Sequence, residues 1–336
     1  YNYINPEKIL FLLWIFYYFM NFSLLFYNNA RPHILLKRRV KIMGITKIKD
    51  LIFYFSENVR KVLYPYEMCE NITEIRLRTG RNISVRIASE NILLGGYIVS
   101  KEDIEYSFKA ICNYSVYSYS RELSEGFITL KGGHRVGICG TAVTENGKVN
   151  NINYISGLNF RIANEHKGVA DKIMSNIFNK EKCGIIIAGA PLCGKTTVLR
   201  DLCRQLGNKH KVSLIDERGE IASVYKGVPQ NEIGDFTDVF DGYPKSEGIL
   251  MAIRTMSPDY IFVDEIGTDE DYNAILHSVC CGAEIIATVH ASSLSVLKKK
   301  DNIDKLLKTG AFRYIVFLES DNGLLGKMMI KEVSDV

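Results

Sequence analysis

The sequence predicts an α/β chain in which a smaller α+β N-terminal domain, residues 43–168, precedes a mainly parallel sheet core at 169–336. Three observations carry this. An apolar, strand-like run, Gly184 to Ala188, leads straight into the glycine-bounded loop Gly189-Ala190-Pro191-Leu192-Cys193-Gly194-Lys195-Thr196-Thr197. From about residue 170 onward, short apolar runs alternate with helical patterns, the rhythm of strands joined by crossover helices. Before that point the pattern is one of alternating strands about tight turns, with helices between them.

In chain order, residues 46–66 predict one or two short amphipathic helices, with Ile48, Leu51, Ile52 and Phe55 and then Val59, Val62 and Leu63 on one face, ending near Pro65. Ile72 to Arg86 reads as a hairpin turning at Gly80. Ser100 and Asp103 form a capping box that opens a helix running to about Asn113. Strands come next at Phe127–Leu130, His134–Gly140 and Leu158–Ile162, with turns at 131–133 and at Asn146-Gly147, and the domain ends between Asn164 and Val169. In the second half, the pattern Val198, Leu199, Leu202 and Leu206, closed by Gly207, is a helix starting near Lys195. Near the end, a Lys-rich helix from Lys298 to Lys308 presents a solvated face. A closing hairpin then pairs Phe312–Leu318 with Leu324–Ile330 about Asp321-Asn322-Gly323.

The loop has the G-x4-G-K-[ST] spacing of an anion-binding turn. Small residues let backbone N–H groups converge on a phosphate, and the helix behind the loop points its positive end at the same place. The expected nucleotide-binding stretch is therefore Gly189, Ala190, Pro191, Leu192, Cys193, Gly194, Lys195, Thr196 and Thr197. Lys195 would reach the β- and γ-phosphates and Thr196 would be a Mg²⁺ ligand; Thr197 receives no separate role. About 70 residues on, the apolar run Tyr260–Val263 ends in Asp264-Glu265, placing a metal-holding carboxylate beside a base that orients and deprotonates water. Val212–Ile215 ends in Asp216-Glu217-Arg218-Gly219-Glu220, so carboxylates also stand at the end of a second strand, near the crevice where open α/β sheets bind ligands. Glu284–Val289 leads to His290, placed to sense the γ-phosphate, with Thr288 as its competitor.

Charge and composition bound the alternatives. The chain is 47% hydrophobic and 24% charged, and its formal charge of +4 is misleading taken whole. Residues 1–42 hold six basic residues (Lys8, Arg31, Lys37, Arg38, Arg39, Lys41) against Glu7, a net of +5, which leaves −1 for residues 43–336. A body near neutrality lacks the electrostatic footprint of a nucleic-acid binder. The eight cysteines form no C-x-x-C pair, which suits a reducing cytoplasm. Ile9 to Tyr27, 19 uncharged and mostly apolar residues, is long enough to cross a bilayer, with the Lys37–Lys41 basic cluster keeping the remainder of the chain on the cytoplasmic side. Met43-Gly44-Ile45 equally marks a start for an ordinary protein, which would make residues 1–42 a non-native extension.

With these motifs in this order, the second half resembles the type II/IV secretion ATPase superfamily, and the whole of residues 44–330 resembles its stage III sporulation AA branch, found in spore-forming Firmicutes. The segments that carry the resemblance are Glu74–Arg81, Gly132–Gly137, Phe160–Ala163, Asp216–Ile221, Asp241–Lys245 and Ile253–Asp259. It implies a P-loop NTPase core of the RecA-like (ASCE) kind, using ATP and Mg²⁺. It also implies a homo-oligomeric ring, a hexamer, acting from the mother-cell cytoplasm on membrane proteins of a channel complex between mother cell and forespore. The family's proteins start close to Met43, which speaks against a transmembrane segment. Ring ATPases complete their sites with an arginine, whose planar, always charged fork stabilises γ-phosphate charge; the candidates are Arg135, Arg161, Arg254 and Arg218. The full Asp264-Glu265 pair favours Glu265 as base over Glu217 and Glu220, with Lys195, Glu217, His290, Arg135 and Arg161 completing the catalytic set. The competing function is a nucleotide-dependent assembly scaffold with little turnover.

Overall fold

The structure, a computed structural model, describes residues 48–335 apart from 68, 70, 71, 88, 89, 322 and 323. The apolar stretch at 9–27, the basic cluster behind it, Met43 and the turn residues Asn322 and Gly323 lie outside the described residues. Among the described residues no helix is long and apolar enough to cross a membrane.

The first sheet is built on local signals that the sequence carries. After α1 (Ile48–Leu51) comes α2 (Glu57–Leu63), which starts where the Ser56 hydroxyl accepts from Val59 N. The strands β1 (Ile72–Arg78) and β2 (Asn82–Ile87) form the expected hairpin, turning at Gly80 with φ +72°. A further strand, β3 (Glu90–Ile98), extends it; only Leu94 of this strand is buried, so no two-residue alternation marks it in the sequence. There follow α3 (Lys101–Ile111), α4 (Ser120–Glu125), β4 (Phe127–Thr129), β5 (Arg135–Glu145) and β6 (Lys148–Arg161). The antiparallel order is β3-β2-β1-β6-β5-β4, and the apolar side chains of its strands and helices share one core. Strands β5 and β6 run longer than the sequence suggests. Beyond Cys139 and before Gly157 they continue mostly exposed, as a two-stranded arm about Asn146-Gly147, and the hydrophobic alternation stops where burial stops.

Asp103 joins three elements of this sheet. Its carboxylate accepts from Ser100 N (2.8 Å), Ser56 Oγ (2.5 Å) and Tyr97 OH (2.5 Å), and its own N–H donates to Ser100 Oγ. Burial pushes its pKa up, but the hydrogen bonds from Ser56, Tyr97 and Ser100 outweigh burial and hold the group below its ordinary 3.8. A carboxylate depressed in the folded state stabilises above its ordinary pKa and loses that contribution as pH falls below it. Asp103→Ala is expected to destabilise the protein by about 2–3 kcal/mol, one helix cap plus two stranded hydroxyls. In thermal melts the gap between variant and parent should be full at pH 7 and narrow below about pH 4; a constant gap down to pH 3 would refute this account.

A short helix, α5 (Asp171–Ile173), runs into a π-turn at Met174–Phe178 and leads to the second sheet. Its elements are β7 (Ile185–Gly189), α6 (Lys195–Gly207), β8 (Val212–Asp216), β9 (Thr237–Asp241), α7 (Lys245–Met256), β10 (Tyr260–Val263), α8 (Asp269–Cys280), β11 (Glu284–His290), α9 (Leu294–Lys298), α10 (Asp301–Lys308), β12 (Tyr314–Asp321) and β13 (Leu324–Glu332). The order is β13-β12-β7-β11-β10-β8-β9, parallel throughout except for β13 at the edge. Residues 185–189, 212–216 and 260–263 are buried without exception, as expected for parallel strands covered on both faces. The Lys-rich segment is two helices rather than one, broken at Lys299-Lys300, and Ile303, Leu306 and Leu307 pack inward.

Register then brings the motifs to one edge. Gly189 sits opposite His290, Val263 opposite both Ala287 and Ile215, and Asp216 opposite Asp241. Strand β11 lies between the strand that carries the loop and the strand that ends in acids.

Candidate functional site

The loop's two glycines are required for different reasons. A Cβ on Gly189 would run into the Cys193 sulfur and the Leu318 carbonyl, whereas Gly194, the N-cap of α6, holds φ +94°, where side chains are strained. Leu192 also takes a positive φ, +62°, at the loop tip, with its side chain in solvent. Val198, Leu199, Leu202 and Leu206 are buried against the sheet and fix α6 behind the loop.

Four side chains form a continuous line across the strand ends. Lys195, only 7% exposed, donates from Nζ to Gly189 O (3.1 Å) and Ala190 O (2.8 Å), and lies 2.9 Å from His290 Nδ1. His290 Nε2 is 3.1 Å from Glu265 Oε1, and Glu265 Oε2 accepts from Arg218 Nη1 at 3.1 Å. Burial lowers the Lys195 pKa, opposed by the nearby Asp264 and Glu265 carboxylates. A lysine held by two carbonyls and an imidazole gives up no strong ion pair when a phosphate offers itself instead.

Beside this line, Thr196 Oγ1 donates to Asp264 Oδ2 at 3.1 Å. The two oxygens suit a hard cation such as Mg²⁺, which takes one or two protein ligands and completes its shell with water and substrate phosphates. Among the described residues no group of three or more His, Cys, Asp or Glu could hold a metal unaided. A resident metal cage is therefore a poorer fit to this donor set than a cation that arrives with its nucleotide.

A cavity of about 640 Å³ opens over these groups. Pro191, Leu192, Gly194, Lys195, Thr196 and Thr197 line it, whereas Gly189, Ala190 and Cys193 are not among its lining residues. Asp264, Glu265, Thr288 and His290 line it from the strand ends, and the first sheet contributes Arg135 and Arg161. Arg135 is already engaged: its Nη1 lies 3.2 Å from Glu220 Oε1, its Nη2 donates to the Arg218 carbonyl, and its guanidinium stacks 4.7 Å over the Phe127 ring. Burial lowers its pKa against the pull of Glu220 and Asp216. Arg161 lines the cavity with no ion pair or hydrogen bond to its side chain among the described residues. Arg254 is exposed on α7 and does not line the cavity.

The segment after β8 divides its carboxylates among separate tasks. Asp216 is buried and accepts from the N–H groups of Glu220 (2.8 Å), Ile221 (3.0 Å) and Ala222 (2.8 Å); burial raises its pKa despite these donors. It shapes the loop. Glu217 turns away to Lys245 (3.3 Å) and lines a second cavity of about 470 Å³, so it is Glu220 that faces the loop's cavity. Two basic residues of this neighbourhood were assigned no role from the sequence, although Lys245 closes one of the segments that carry the resemblance. Arg200 on α6 donates to the Glu220 carbonyl (2.6 Å), and Lys245 donates to the Glu265 carbonyl (2.8 Å). The only sequence signal for Arg200 was its position, one turn after Thr196 on the face that α6 turns toward the strand ends.

Comparison with known proteins agrees with this geometry. The sequence profile described as "Sporulation stage III, protein AA" matches residues 46–330. Stage III sporulation protein AA of Bacillus subtilis (strain 168) is 37% identical over 258 residues, covering 75% of this chain and 84% of that protein. Among solved structures, the ATPase DotB of Yersinia pseudotuberculosis superposes with a TM-score of 0.57 at 15% identity, covering 89% of this chain and 85% of that one. The pilus retraction motor PilT, solved with bound ADP, superposes with a TM-score of 0.53 at 16% identity, covering 77% of each chain. The fold is that of the P-loop secretion ATPases, with the Gly189–Thr197 loop, the Asp264-Glu265 pair and the intervening strand that ends in His290 all at one sheet edge, and the chain belongs to the stage III sporulation protein AA family.

Proposed function

We propose that the chain binds ATP with Mg²⁺ and hydrolyses it, as a homo-oligomeric ring, to drive or assemble a sporulation channel complex at the mother cell and forespore membranes. The observation that carries this reading is the convergence, in one cavity, of Lys195, the Thr196–Asp264 oxygens and the Glu265 carboxylate. In this reading residues 43–168 and 169–336 act as two domains that move against each other, and the protein works peripherally at the cytoplasmic face through its membrane partners.

Each residue then has a task. Lys195 exchanges its two carbonyls and His290 for β- and γ-phosphate oxygens. Mg²⁺, held through Thr196 and Asp264, supplies charge neutralisation across those phosphates when bound. Glu265 accepts a proton from the water whose oxygen bonds the γ-phosphorus, while the bond from that phosphorus to the β–γ bridging oxygen breaks and its electron pair leaves with ADP. His290, bonded to both Lys195 and Glu265, reports to the base whether the lysine has moved. Arg161 stabilises the charge that develops on the γ-phosphate.

A second reading is a nucleotide-dependent scaffold with little turnover. It is favoured by Glu265, whose two carboxylate oxygens are both held, by His290 and Arg218. Phosphate release measured against protein concentration, with sedimentation alongside, separates the two. Turnover per subunit that rises as rings form is the expected result. Tight ATP binding without turnover at any assembly state would replace the hydrolase with the scaffold.

A further inference from the structure

Thr288 lies on β11 two residues before His290, is 1% exposed, and makes three bonds to the turn after β10. Its hydroxyl donates to Asp264 Oδ1 at 2.5 Å and accepts from the Glu265 N–H at 2.8 Å; its carbonyl accepts from Ile266 N at 3.0 Å. The direction of the first two bonds is fixed by chemistry. An amide N–H can only donate, so the hydroxyl must accept from Glu265 and spend its own proton on Asp264.

We propose that Thr288 is the positioning residue of the acid pair, deciding which Asp264 oxygen faces the phosphate loop and holding Glu265 in a backbone conformation it would otherwise leave. This rests on the hydrolytic reading of the same site. Asp264 has two equivalent oxygens, and with Oδ1 committed to Thr288 it is Oδ2 that meets Thr196. Glu265 has φ +49°, in the left-handed region that a side chain enters only under constraint. Both of its peptide groups are pinned, the N–H by Thr288 and the carbonyl by Lys245. The carboxylate that this turn carries meets His290 and Arg218, which line the same cavity. An apolar side chain at 288 would fill the same space and take their shared partner from a half-buried Asp264 oxygen and the Glu265 N–H. Serine would keep both bonds.

The test compares Thr288→Val with Thr288→Ser and reads two quantities. In nucleotide-free protein, amide hydrogen exchange at Glu265 should quicken about tenfold or more in the valine variant and stay within about twofold of the parent in the serine variant. The Ile266 amide, bonded to the backbone of residue 288, should stay protected in both and shows that the turn remains folded. With ATP, the valine variant should lose about 10–100-fold in turnover and need more Mg²⁺ for half-maximal rate, as expected when the hydrogen-bond partner of a metal-holding carboxylate is removed; serine should restore both. If the valine variant does not fold, Thr288→Ala carries the same expectations. Parental exchange at Glu265 in the apolar variants, or a serine variant that behaves like valine, overturns the proposal. A parent without turnover would sink the hydrolytic reading alone, because the exchange comparison needs no nucleotide.

Discussion

Glu265→Gln is expected to lower phosphate release by about 10²–10⁴-fold while leaving ATP affinity within a few-fold of the parent, the loss that follows when a general base is replaced by a neutral group of its shape. The glutamine has one acceptor oxygen where the carboxylate has two, so it can keep the bond from Arg218 or the one from His290 but not both. Its backbone bonds to Thr288 and Lys245 are untouched. Glu217→Gln is the matched control. That carboxylate faces Lys245 and the second cavity, and its loss should change turnover by no more than about threefold. Equal rates for parent and Glu265→Gln would remove the base assignment, and a large loss on Glu217→Gln would transfer it to the segment after β8.

Why these assignments were legible, and others were not, depends on where the information sits. The loop at 189–197 and the acid pair at 264–265 are local patterns at strand ends, and parallel strands in a covered sheet reach the same edge by construction, so sequence order alone places them together. The capping box at Ser100 and Asp103 is equally local. Strand β3 was not legible because only Leu94 of it is buried, and the arm beyond Cys139 because it is mostly exposed, with only Ile152 and Ile155 half-buried against the core. The roles within the Asp216–Glu220 segment were hidden for a different reason. Three carboxylates within five residues look alike in sequence, and only the folded loop shows that Asp216 binds its own backbone, Glu217 a lysine and Glu220 an arginine of the other sheet. Arg135 and Arg161 were equivalent candidates on the same grounds.

The folded chain separates those two arginines, and Arg161→Ala is expected to have the second large effect. Arg135 and Arg161 lie directly opposite each other on β5 and β6, an arrangement of like charges that destabilises a sheet unless anions offset it. Arg135 has its anion in Glu220. Across the other edge of β6, Arg161 is opposite Glu74, but that carboxylate is held by Arg76 at 2.6 Å. Arg161 is thus a surplus cation on the wall of the cavity over the Gly189–Thr197 loop, and a bound triphosphate would supply the missing anion. Truncating it should cut turnover by about 10³-fold, the low end for an arginine that stabilises phosphoryl-transfer charge, and should leave thermal stability unchanged or slightly raised. Arg135→Ala should instead lower stability, since it releases the Glu220 and Arg218 contacts between the two sheets. Because Arg161 lines the cavity of its own chain, mixing Arg161→Ala chains with Glu265→Gln chains should restore no turnover. Recovery of activity in such mixed assemblies would show that the arginine reaches a neighbouring subunit's site, and retention of turnover by Arg161→Ala alone would leave the cavity without its arginine.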